Sequence, residues 1–238
     1  MQLTPRLAAV ADFIPPGVRV ADIGTDHAML PVYLVENNRS PGVIATDLNE
    51  KPFLAACRQV QAAGAGGRVE VRKGNGLEII RPGEVDVIVI AGMGGNTIIG
   101  ILERAPGVLA GIKRLVLQPM ADPGPLRNWL ARNGWRLVDE ELVREMERFY
   151  VVIAAEPGEE LPEDRLLQEI GPLLVRKNSP DLIEYLGKIR DDYQRVLSGI
   201  ARSRTEESME KAIETTSKLA GVKELIARCR QNAGKSSR

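Results

Sequence analysis

Five apolar runs in this chain each end in polar or glycine residues suited to chemistry. The run Val18-Arg-Val-Ala-Asp-Ile23 leads into Gly24-Thr-Asp26-His27, with Asp22 just inside the run. A glycine at such a point lets the backbone approach a nucleotide without a Cβ in the way. Cofactors with a pyrophosphate need further glycines there, but Asp26 and His27 stand in their place. A carboxylate repels a pyrophosphate. It suits a nucleoside cofactor that has no phosphate and one cationic end, such as S-adenosylmethionine. The plain alternative is a tight turn in which Asp26 caps the next helix.

The other four loops extend this pattern. Asp47 follows Val43-Ile-Ala-Thr46, where an acid accepts hydrogen bonds from both hydroxyls of a ribose or else caps a helix. Gly74-Asn75-Gly76 follows Val69-Glu-Val71. Asn75 offers an amide oxygen to an adenine amino group, and a simple Asn-Gly turn is the other reading. Ile90-Ala-Gly92-Met93-Gly-Gly95 follows the fourth run. Glycines this dense at a strand end cost entropy unless something must come close. Met93 either joins them or packs into the core. Gln118, after Arg114-Leu-Val-Leu117, has the donors and acceptors to read a base edge or to finish a strand.

These loops need a scaffold that gathers them. The runs at 18–23, 43–46, 69–71, 85–90 and 114–117 read as strands. Helical stretches at 28–37, 52–64, 98–104 and 125–133 separate them. Such alternation predicts a doubly wound parallel sheet with helices on both faces. Ligands bind beyond the C-terminal strand ends of such sheets, so the five loops should share one crevice. Segments 135–141 and 148–155 predict a closing antiparallel hairpin.

The texture changes at the linker Glu156-Pro-Gly-Glu-Glu-Leu-Pro162. Ser179 and Pro180 predict a helix start. Leu182, Leu186, Ile189, Tyr193, Val196 and Ile200 then form a heptad-like seam. Ser203 and Glu206 suggest a capping box, followed by a second seam at Met209, Ile213, Thr216, Ala220 and Lys223. Two helices of a few heptads each predict pairing within the chain, a monomer, and a frayed tail from Gly234 to Arg238. The predicted division is 1–158 for the sheet domain and 159–238 for the helical one.

Composition narrows the function classes. Lys and Arg total 32, as do Asp and Glu, so any nucleic-acid partner needs a local basic patch. The split is mild, at −3 for residues 1–160 and +3 for 161–238. Arg6, Arg127 and Arg132 are candidates near the open edge, with Lys188, Arg195, Arg202 and Arg204 further on. Solvated faces are the alternative for each. One histidine, His27, excludes a His-rich metal site, and the distant Cys57 and Cys229 argue against a disulfide or zinc site. No metal is expected. With neither a membrane-length apolar run nor a signal-peptide pattern, the cytoplasm is the expected location.

Together the motifs resemble the bacterial tRNA (adenine-N1)-methyltransferase family acting on adenosine 22 (TrmK). The resemblance rests on Leu3-Thr-Pro-Arg-Leu7, Val20-Ala-Asp-Ile-Gly-Thr-Asp-His-Ala28, Arg72-Lys-Gly-Asn-Gly-Leu77, Ile90-Ala-Gly-Met-Gly-Gly95 and Leu117-Gln-Pro119. It implies an α/β, Rossmann-like class I SAM-dependent methyltransferase domain with a C-terminal antiparallel helical domain. It implies S-adenosylmethionine as donor and N1 of a tRNA adenosine as acceptor. It implies that Asp22, Gly24, Asp26, His27, Asp47, Asn75, Gly76, Gly92 and Met93 surround the cofactor. Two positions depart from the family: Asn75 stands where Asp is usual, and Met120 where Asn is usual.

The expected catalytic pair is Asp26, stabilising positive charge on the methylated ring, and Gln118, orienting the base. An Asn/Asp-Pro-Pro-aromatic motif is absent after the fourth strand, which disfavours exocyclic amines as targets. The other readings are a methyltransferase for another RNA, a protein or a small molecule, an NAD-dependent oxidoreductase, and a non-catalytic nucleotide-fold module.

Overall fold

The computed structural model describes residues 1–161, 163–200 and 205–236. In chain order the elements are α1 (Pro5–Asp12), β1 (Val20–Ile23), α2 (Met29–Glu36), β2 (Val43–Asp47), α3 (Glu50–Ala62), β3 (Val69–Lys73), β4 (Val87–Met93), α4 (Gly95–Glu103), α5 (Pro106–Leu109) and β5 (Arg114–Pro119). They continue with α6 (Pro123–Arg132), β6 (Trp135–Glu145), β7 (Arg148–Pro157), α7 (Arg165–Ile170), α8 (Pro172–Arg176), α9 (Leu182–Ile200) and α10 (Glu206–Ser236). The chain divides into two compact units, residues 1–163 and 164–238.

In the first unit, one seven-stranded sheet has the order β3-β2-β1-β4-β5-β7-β6. Strands β1 to β5 run parallel, and β7 pairs antiparallel with β5 and with β6. Strands β1 and β2 are buried along their whole length, with Asp22, Thr46 and Asp47 among their buried residues. The edge strand β3 is buried only at Val69. The chain leaves β1 toward β2 on one side and returns to β4 on the other. That reversal of strand order opens a crevice between the C-terminal ends of β1 and β4.

Helix α1 does not appear in the sequence-based reading. It has a local cause: Thr4 caps Leu7 N–H, and Pro5 supplies a preset φ at the first turn. Its Ala9, Val10 and Ala11 are buried in the same core as β1, β2 and α2.

The second unit contains two short helices, α7 and α8, for which the sequence-based reading has no element. Helix α9 begins at Leu182, not at Pro180, because Asp181 is left-handed at φ 61°. The first seam is buried only at its start, at Leu182 and Leu186, and Val196 is 39% exposed. The second seam is offset by one residue from expectation. The buried stripe is Thr215, Leu219, Val222, Ile226 and Cys229, while Met209 and Ile213 are 61% and 72% exposed. Two large apolar residues near the helix start set the wrong register. Helix α10 reaches Ser236, so the expected tail is helical for most of its length. Ser203, Arg202 and Arg204, with the proposed capping box, lie outside the described residues.

Candidate active site

The loop from Gly24 to Ala28 leaves β1 in a contorted path. Gly24, Asp26 and Ala28 all have left-handed φ, at 75°, 53° and 51°. For Asp26 and Ala28 this costs about 1 kcal/mol each, and surrounding hydrogen bonds must hold it. They do: Gly24 and Thr25 N–H both donate to Thr46 O, at 2.8 and 2.9 Å, and Asp26 N–H donates to Asp47 Oδ2 at 3.3 Å. Asp26 therefore does not cap α2. The cap position is Ala28, with no side-chain bond. The terminal methyl of Met93 packs into the space where a Cβ on Gly24 would stand.

This loop forms one wall of a cleft of about 380 Å³. Asp22, Gly24, Asp26 and His27 line it on that side, and Arg6, Ala91 and Gly92 on the other. Asp26 and His27 are exposed at the rim, with His27 Nε2 3.6 Å from Asp26 Oδ2. Asp22 lies deeper and is 6% exposed. Burial pushes its carboxyl up to about 6, opposed by the Thr25 hydroxyl that donates to Oδ2 at 2.6 Å and reinforced by the Asp47 charge. Asp47 itself accepts from Asp26 N–H and, at 2.9 Å, from Asn49 N–H, which leaves lone pairs on both of its oxygens.

Asn75 and Gly76 are not among the residues that line this cleft. Asn75 donates to Glu78 Oε1 at 2.7 Å, and Gly76 is left-handed at φ 56°. Gly95 does not line the crevice. It is buried where a Cβ would overlap the Asp122 carbonyl, so it serves the packing of α4 on the β5 loop. Gln118 is fully buried, and its amide oxygen accepts from Arg6 Nη1 at 2.8 Å and Gly92 N–H at 3.1 Å. The expectation that Gln118 touches a base is revised: it holds the cleft wall from behind.

Arg127 also departs from expectation. Its side chain is 1% exposed and its Nε lies 2.6 Å from Glu140 Oε1, so it is a core ion pair and not an RNA contact. Arg132 is exposed but ends α6, which runs back from the crevice edge. Only Arg6 of the three arginines reaches the cleft. Sequence reasoning missed Thr4, Leu7, Thr25 and Met29, which also line it. The Thr-Pro pair that starts α1 was the available signal for the first two.

Five parallel strands closed by an antiparallel hairpin, with acidic residues at the β1 and β2 ends, define a class I methyltransferase. Residues 3–153 match the family model described as a methyltransferase domain. The tRNA (adenine(22)-N(1))-methyltransferase of Bacillus subtilis is 36% identical over 95% of this chain and 98% of its own. The crystal structure of the B. subtilis M1A22 tRNA methyltransferase TrmK superposes with a TM-score of 0.87 at 36% identity, covering 94% of this chain and 99% of that one. A Streptococcus pneumoniae chain in complex with S-adenosyl-L-methionine does so with a TM-score of 0.86 at 32% identity, covering 94% and 100%. The chain belongs to the tRNA (adenine(22)-N1)-methyltransferase family.

Proposed function

We propose that this enzyme transfers a methyl group from S-adenosylmethionine to N1 of adenosine 22 in tRNA. The observation that carries the reading is the acidic cleft at the β1 end, where buried Asp22 and exposed Asp26 await a cationic ligand. These residues fit that donor. Asp22 lacks a cationic partner among the described residues, as its raised pKa reflects. Asp47 has lone pairs left for ribose hydroxyls. A pyrophosphate would meet two carboxylates, which disfavours the nicotinamide dinucleotide alternative.

S-adenosylmethionine, when bound, supplies an electrophilic methyl carbon on a sulfonium. Adenine N1 carries its own lone pair, so no protein base has to remove a proton first. The work left to the chain is alignment, which is worth several powers of ten in rate. Asp26, at the rim, stabilises the positive charge that develops on the methylated ring. N1 is blocked in a base pair, so the adenosine must leave its stack before it can enter the cleft. RNA phosphates are held by basic side chains of both units. The enzyme works in the cytoplasm and as a monomer, the second reading being supported by the pairing of α9 and α10 within one chain.

The test is transfer of labelled methyl to unmodified tRNA, followed by mapping. Label is expected at N1 of adenosine 22, and a transcript with guanosine there should remain unlabelled. Absence of label from both transcripts would overturn the proposal.

A further inference from the structure

The residues that line the cleft leave one exposed apolar side chain beside it unexplained. Met120 follows Pro119, the last residue of β5, and is 48% exposed. It is held in place all the same. Its backbone N–H donates to Met93 O at 2.8 Å, and its sulfur lies 3.7 Å from Gln118 Nε2. The oxygen of that amide accepts from Arg6 Nη1 and from Gly92 N–H, and both residues line the cleft. One amide group therefore separates the Met120 thioether from the cleft wall. Met120 does not line the cleft itself. It stands on the rim at the β5 side, with Asp26 and His27 at the β1 side.

The surface between this side chain and the cleft is bare backbone. A Cβ on Gly92 or Gly94 would meet nothing closer than 3.7 Å. Gly92 is left-handed at φ 80°, but Gly94 has an ordinary φ of −65°, so neither its backbone nor a neighbour demands a glycine there. The missing side chain keeps open a strip on which a flat ring can lie. With the donor's ribose toward Asp47 at the end of β2, the β5 flank is the one left for an acceptor. A base lifted from its helix has lost both stacking neighbours and needs apolar cover in their place. A thioether supplies it, since methionine is polarisable, adapts its shape and packs favourably on aromatic rings.

We propose that Met120 is the side chain against which the target adenine packs as it enters the cleft. The inference rests on the reaction proposed above. Gln118 Nε2 is shared between Pro119 O, at 3.0 Å, and the Met120 sulfur, so the thioether is turned toward the cleft wall. An asparagine at this position would offer the base an amide donor and acceptor. A thioether is at best a weak acceptor, and this one already faces Gln118, so its contact with the ring is packing and not a reading of the base edge. The competing occupant is an apolar segment of a partner protein. Seated on Met120, it would lie at the cleft mouth and hinder the entry of the tRNA.

The experiment measures methyl transfer and binding on the full chain. Met120→Ala should lower kcat/KM for unmodified tRNA by about five- to tenfold, the scale of a sulfur–aromatic contact. Its calorimetric affinity for S-adenosylhomocysteine should stay within about twofold of wild type, which also shows that the variant is folded. Affinity for a tRNA that is abasic at position 22 should likewise stay within about twofold, because the group that Met120 touches is gone. Met120→Leu, apolar and of similar volume, should recover most of the lost kcat/KM. Unchanged kcat/KM in Met120→Ala would overturn the inference and would leave the side chain to a protein partner. Equal losses on the abasic tRNA or on S-adenosylhomocysteine would also overturn it, since Met120 would then act on the RNA backbone or on the donor. If the wild-type chain left adenosine 22 unlabelled, the fault would lie with the reaction itself, and the inference would fall with it.

Discussion

Asp22 and Glu140 are both buried carboxylates on the same sheet, 6% and 1% exposed. Glu140, on β6, is matched by the Arg127 guanidinium of α6 at 2.6 Å. Asp22, at the end of β1, has a threonine hydroxyl and a second carboxylate for company. One region is finished as folded. The other leaves a charge whose desolvation is offset only when a cationic ligand arrives. An uncompensated buried acid is costly, so its location marks where the molecule expects company.

Removing one partner of the finished pair should have the largest effect. Arg127→Ala strands Glu140 in the core and should cost about 3–5 kcal/mol in urea unfolding. A double change, Arg127→Met with Glu140→Leu, should recover most of that loss. If Arg127→Ala were neutral to stability yet raised the KM for tRNA, the contrast would fail and the arginine would be an RNA contact after all.

The opposite sign is expected at Asp22. Its folded pKa, about 6, lies above the ordinary 3.8, so the folded state holds a proton that the unfolded state releases between those values. Stability therefore falls as pH rises through that window and stays lower above it. Asp22→Asn removes this cost while keeping an acceptor for Thr25. Thermal unfolding of the ligand-free variant should match wild type near pH 4 and exceed it by a few kcal/mol at pH 8. The same change should weaken S-adenosylhomocysteine roughly tenfold or more at pH 8. Wild-type affinity should itself drop as pH falls below about 6. Stability differences independent of pH would break the argument.

Smaller effects follow. Asp26→Asn should lower turnover at saturating donor by roughly tenfold, because an exposed carboxylate is partly screened. An unchanged rate would remove Asp26 from the chemistry. In the helical unit, Met209→Lys and Ile213→Lys should each shift stability by less than about 0.5 kcal/mol, as for exposed sites in general. Leu219→Ala on the buried stripe should cost about 2–4 kcal/mol.

Much of this arrangement was legible in the residues. The alternation of strands with helices and the nearly all-apolar run of β4 announced parallel strands, and that topology placed Asp22, Gly24, Asp26, His27 and Gly92 around one cleft. The misreadings share a cause: each depended on a partner distant in sequence. Arg127 looked like a solvated helix residue because Glu140 lies a strand away. Gln118 looked free because Arg6 is 112 residues earlier. The α10 stripe was misjudged because Thr215 and Cys229 are weakly apolar by type, and the packing of α10 on α9 and α7 decides which face is buried.

The bond from the Arg6 backbone to Glu145 joins residues 139 positions apart. One wall of the cleft is thus held by the first helix and braced by the strands that finish the sheet. Loop closure over such a distance is slow and late. During synthesis the Asp22 wall can form early, but the Arg6 wall has no anchor until the β6–β7 hairpin has emerged and paired. Donor binding at full strength therefore reports a completed sheet, and a nascent chain shorter than about 150 residues should hold the donor weakly, if at all.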